Sequence, residues 1–112
     1  MIIEKVIIDF LKTKISNCTI LAEAPARPFG RLILVQRTGG RGRFIKESTV
    51  AIQSYGASLY EAAELNEEVK DAMEQLIEVE PITRVNLNSN YNYTDTATSE
   101  HRYQAVFDIF HY

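Results

Sequence analysis

The segment from Ser58 to Glu78 constrains this chain most. Ala62, Leu65, Val69, Ala72, Met73 and Leu76 recur at three- and four-residue spacing, which puts them on one side of a helix. Glu64, Glu67, Glu68, Asp71, Glu74 and Glu78 fall on the opposite side. Ser58-Leu59-Tyr60-Glu61 is a capping-box pattern, in which the serine hydroxyl accepts a first-turn N–H and the glutamate reaches back to the cap. Pro81 stops the helix soon after Ile77 or Glu78. The apolar stripe needs a cover, and its neighbours have the two-residue period of strands. Residues 48–55 set Val50 and Ile52 against Ala51 and Gln53. Residues 82–90 set Val85 and Leu87 against Arg84, Asn86 and Asn88. Residues 102–112 set Tyr103, Ala105, Phe107 and Ile109 against Gln104, Val106, Asp108 and Phe110.

The rest of the chain extends this plan. Residues 2–15 predict a first helix, with Ile3, Val6, Ile7, Phe10 and Leu11 on one side and Glu4, Lys5, Asp9 and Lys12 on the other. Ile8 falls near the polar side and reads as ordinary surface, while Ser16-Asn17 ends the helix. Residues 19–23 suit a short strand, and Pro25 and Pro28 predict a stiff extended connection after it. Residues 29–38 read as a central strand, apolar on both faces at Leu32-Ile33-Leu34-Val35. The polar stretch of residues 90–101 is turn-prone, yet its Thr and Tyr content also suits an extended hairpin arm. Together these predict one α+β domain over residues 1–112. Its mainly antiparallel sheet has about four to five strands, with the N-terminal helix and the long central helix on one face.

Residues 36–47, Gln-Arg-Thr-Gly-Gly-Arg-Gly-Arg-Phe-Ile-Lys-Glu, interrupt that plan between two strands. Their glycines permit positive φ, and Arg37, Arg41, Arg43 and Lys46 make the stretch a basic arm. The net charge of −3 argues against a general nucleic-acid binder, but the charges are sorted. From Arg27 to Lys46 there are six basic residues and no acid, and from Glu61 to Glu80 eight acids and one base. Two solvated surfaces account for such blocks. Two complementary surfaces that meet across a subunit boundary account for them equally.

A single cysteine, Cys18, excludes an intrachain disulfide, and no cysteine or histidine cluster has metal-ligand spacing. The first residues lack a signal-peptide pattern, and no apolar run approaches the roughly 20 residues of a membrane span. A soluble, unexported chain is expected, with no membrane partner.

No catalytic constellation is evident. Gly39-Gly40-Arg41-Gly42 matches neither the P-loop nor the dinucleotide fingerprint, and a strand follows it where phosphate binding needs a helix N-terminus. His101 and His111 read as surface histidines, and Cys18 as a small buried residue. Ser58 fits a cap better than a nucleophile. A non-enzymatic chain without cofactor or metal is the expectation. The four cations of the arm also suit non-specific contact with a phosphate backbone.

Three stretches carry a family resemblance. Arg31-Leu-Ile-Leu-Val-Gln-Arg-Thr-Gly-Gly40 precedes a strand ending Gln53-Ser-Tyr-Gly56 and a helix beginning Ser58-Leu-Tyr-Glu-Ala-Ala63. With Asn90-Tyr-Asn-Tyr-Thr-Asp95 and Arg102-Tyr-Gln-Ala-Val-Phe-Asp-Ile109, they resemble the tail terminator, or tail completion, proteins of long-tailed bacteriophages of Gram-positive hosts. The resemblance spans about Pro25 to Tyr112; Thr-Gly-Gly after a strand is its most specific motif. Small neck and head–tail joining proteins share the size and plan. The resemblance implies a structural virion protein assembled in the host cytoplasm. It would form a ring, usually a hexamer, that caps the tail tube, ends tail polymerisation and presents a face to the head connector.

A ring needs two different patches on each subunit. The expected patches are the arm (Arg37, Gly39, Gly40, Arg41, Arg43, Phe44, Lys46) and the acidic helix face (Glu64, Glu67, Glu68, Asp71, Glu74). Phe44, Ile45, Tyr91 and Tyr93 are the expected apolar contacts. The competing expectations are a neck connector whose arm lines a DNA channel, and a small non-viral adaptor without a ring.

Overall fold

The computed structural model describes residues 2–27, 30–98 and 100–112. The elements follow in the order α1 (Ile3–Lys14), β1 (Thr19–Leu21), β2 (Leu32–Arg41), β3 (Lys46–Tyr55), α2 (Leu59–Glu74), β4 (Ile82–Asn92) and β5 (Arg102–His111). A short 3₁₀ turn, Leu76–Glu78, links α2 to β4. The fold is α+β, with one five-stranded sheet in the order β1-β2-β3-β5-β4. All neighbours are antiparallel except β1 and β2. Because β1 and β2 run the same way, the connection containing Pro25 must return the chain to the end where β1 began. The expected strand start at Phe29 and the stiffening by Pro28 lie outside the described residues.

Both helices cover one face. The stripe of α2 is buried as its period predicts: Ala62, Leu65, Val69, Ala72, Met73 and Leu76. Leu65, Val69, Ala72, Met73 and Leu76 pack with Ile3, Ile7 and Leu11 of α1 on Ile33, Val35, Val50, Ile52, Ala105, Phe107 and Ile109 of the sheet. Fully burying a side chain of this size contributes about 1.5–3 kcal/mol, so this single core carries most of the fold. The Ser58 hydroxyl accepts from Glu61 N at 3.2 Å, and the Glu61 carboxylate accepts from Ala57 N at 3.1 Å. Asn17 takes a left-handed φ of 53° and ends the turn after α1. Ile8, expected at the surface, is partly buried against the core, because α1 lies in the angle between sheet and α2 and is covered on more than one side.

Among the described residues, no helix covers the other face. Leu32, Leu34 and Tyr55 make a small apolar cluster there. Beyond it a chain of hydrogen bonds crosses three strands, from Arg102 to the Tyr55 hydroxyl, on to Gln53, to Gln104 and to the Tyr91 hydroxyl. Lys46 pairs with His111 at one end of the sheet, and Tyr55 with Arg102 at the other. The β2–β3 and β4–β5 hairpins therefore turn at opposite ends of the sheet.

Candidate functional site

The basic arm is a strand hairpin. β2 runs through Thr38, Gly39 and Gly40 to Arg41, and β3 begins at Lys46, so only residues 42–45 form the tip. The expected glycine flexibility narrows to one position. Gly42 has a φ of +105°, and a Cβ there would collide with the carbonyl of Ile45. Gly39 and Gly40 sit in the strand. Gly40 leaves room for the Arg37 guanidinium, which lies where its Cβ would stand. A bulge between Arg37 and Gly39 interrupts the register and makes the part of β2 beyond its pairing with β1 a poor edge for pairing.

Phe44 is 85 % exposed and Ile45 51 %. Arg41 bonds Glu47 across the hairpin at 2.6 Å, which raises the guanidinium pKa. Arg37 donates to the Gly39 carbonyl at 3.1 Å. Among the described residues, Arg37, Arg43 and Lys46 have no carboxylate partner in the chain.

The acidic side chains line the outer face of α2, all five exposed. The two charge blocks are less separate than they read. Arg31, counted with the basic block, bridges to Glu68 through two bonds of 2.9 and 3.2 Å. That hydrogen-bonded carboxylate raises the Arg31 pKa. Glu67 is bonded by Lys70 one turn along its own helix. Glu64, Asp71 and Glu74 are left without an ion pair among the described residues.

Tyr91 and Tyr93 stand at the far end, edge to face at 5.8 Å. They form a patch separate from Phe44. The strand directions carry the two hairpin tips apart.

The sequence reading missed a cleft of about 590 Å³ where the start of α1 meets the basic hairpin, from its strands up to Gly42 of the tip. Ile2 and Ile3 form one wall, Arg37, Gly40, Arg41 and Gly42 the other, with Lys46, Ser48 and His111 in the floor. Glu4 is the carboxylate that lines it. His111, read as a surface residue, is buried, with Nε2 3.0 Å from the Ser48 hydroxyl and Nδ1 3.2 Å from the Tyr112 carbonyl. If Nδ1 donates to that carbonyl, Nε2 is left to accept from Ser48. A hydroxyl beside a base is the pairing that acyl transfer uses. Ser48, however, is only 2 % exposed, so its oxygen does not meet a carbonyl group from the cleft. The pair fixes the last strand to the hairpin base.

The remaining candidates are quiet. Cys18 is half-buried, and burial pushes its thiol pKa up to about 11, which suppresses the thiolate. Among the described residues no group of His, Cys, Asp and Glu is placed to hold a metal ion, and no helix is long and apolar enough to cross a membrane. No known family profile matches the sequence, and no curated protein does so either.

Proposed function

We propose that this chain is a non-enzymatic assembly protein, a tail terminator that forms a ring, with six subunits as the working number, on the end of a phage tail tube. The observation that carries the reading is the exposed Phe44-Ile45 tip on a hairpin whose cations Arg37, Arg43 and Lys46 have no carboxylate partner among the described residues. Exposed apolar side chains at the end of a projecting element mark a surface that gains from being covered. The sequence resemblance supplies the setting: the tail tube on one side of the ring and the head connector on the other. The acidic face of α2 supplies a second surface of opposite charge. Exposed ion pairs contribute only about 0–1 kcal/mol each, so charge sets the register while apolar contact carries the strength.

Electron microscopy of particles made without this chain tests the reading. Overlong tails unjoined to heads are expected, and tails of normal length joined to heads would exclude it. The cations of the arm also support a second reading, a neck connector whose arm faces DNA in a channel. Binding of assembled rings to duplex DNA that weakens steeply with salt would favour that reading.

A further inference from the structure

Two features lie at the same end of the sheet but on opposite sides of it. The cleft is built on the β2–β3 side, between the start of α1 and the hairpin base. Ile77 lies on the 3₁₀ turn, which packs against β4 at the far edge. The cleft reaches from β2 across β3 to His111 of β5, the neighbour of β4, so the turn stands about one strand spacing of ~4.8 Å from its near lining and about three from its β2 wall. They share a level because Ile82, just after the turn, pairs with His111 in the cleft floor.

The features are complementary in chemistry. Ile77 is an apolar side chain 51 % exposed, flanked by the exposed acids Glu74, Glu78 and Glu80. The cleft offers the apolar wall of Ile2 and Ile3 beside Arg37 and Lys46, while Arg41 is already bonded to Glu47; among the described residues Glu4 is the carboxylate in its lining. Its volume of about 590 Å³ lies in the range that seats a small ligand or several side chains.

Joining by sheet extension is disfavoured on both sides. β2 is bulged at Thr38, and β4 is bulged twice, between Ile82 and Arg84 and between Leu87 and Ser89.

We propose that the cleft is the socket for the Ile77 turn of a second copy of this chain, with Glu74 and Glu78 meeting Arg37 and Lys46. The contact is heterologous: each subunit offers a knob on one side and a socket on the other. Repetition in one direction therefore closes a ring or extends a helix. The inference rests on the self-assembly part of the function proposed above and names the residues of its joint. It also divides the labour within the arm. The cleft beside the hairpin strands makes the lateral joint, and the exposed Phe44 side chain, which does not line it, is left for the tube or the connector.

Cysteine trapping tests the joint. In a Cys18→Ser background, Ile2→Cys and Ile77→Cys are combined, and the concentrated protein is oxidised with and without tail tubes. A ladder of dimer, trimer and higher species is expected on denaturing gels, because each subunit makes two different contacts. Either single-cysteine variant should yield only a minor dimer. Arg37→Glu with Lys46→Glu should reduce the ladder at least tenfold, and adding Glu74→Lys with Glu78→Lys should restore it. No ladder under either condition, or a dimer alone from the double-cysteine chain, would overturn the joint. Loss of the ladder without restoration by the swap would overturn the charge pairing. Overlong tails in particles lacking the chain, together with no ladder, would leave the terminator reading standing and remove only the joint. A ladder together with normal tails would do the reverse.

Discussion

The two hairpins have similar strand lengths and opposite construction. The β4–β5 hairpin is pinned from within. Arg102 donates to the Tyr93 carbonyl at 2.8 Å and to the Tyr55 hydroxyl at 2.7 Å, and its guanidinium lies 4.7 Å from the Tyr93 ring centre. Thr94 bonds Asn92, and the Asp95 backbone N–H donates to the Glu100 carbonyl. Among the described residues the β2–β3 hairpin has one cross-hairpin ion pair, Arg41 with Glu47, and a bare aromatic tip. The first hairpin engages Tyr91 and Tyr93 within the chain although both stay partly exposed, at 41 % and 43 %; the second leaves Phe44 85 % exposed. A segment whose side chains find no partner in their own chain is where a partner from another chain gains most.

The largest effect on the isolated chain should come from the pinned hairpin. Arg102→Ala removes two charged hydrogen bonds and a stacked cation, and a loss of about 2–3 kcal/mol is expected in urea denaturation. A loss under about 0.5 kcal/mol, the range of ordinary surface changes, would erase the contrast. Gly42→Ala comes next. Its strain of roughly 1–2 kcal/mol should appear as faster amide exchange over residues 39–47 while β4 and β5 stay protected. Equal acceleration in both hairpins would show that they open as one unit.

Tyr91→Phe is smaller, about 0.5–1.5 kcal/mol for the hydrogen bond to Gln104, and thermal melting should register it. The smallest effect on folding belongs to the exposed tip. Arg41→Glu, Arg43→Glu and Phe44→Ser together should stay within about 0.5–1 kcal/mol of the wild-type chain in urea, since they cost one exposed ion pair and no buried contact.

The same contrast explains what was legible in the sequence. Local periodicity carried the elements: the Ser58 cap, the α2 stripe and the alternation in β3 and β5 all depend on near neighbours in the chain. Strand order and partner choice depend on distant residues. They decided that Arg31 meets Glu68, that the arm is paired sheet up to Arg41, and that Tyr91 and Phe44 stand at opposite ends. One miss had a signal. His111 continues the phase of Ala105, Phe107 and Ile109, so the alternation that buried them also buries the histidine. The cleft had none, since four elements from both ends of the chain build it.

The central claim is that the basic hairpin is an assembly contact and adds little to folding. Measuring tail lengths by electron microscopy tests it most directly. The particles would carry Arg41→Glu, Arg43→Glu and Phe44→Ser together in place of the wild-type chain, after urea denaturation has shown that this variant folds. Overlong tails unjoined to heads are predicted. Tails of wild-type length, joined to heads, would contradict the account.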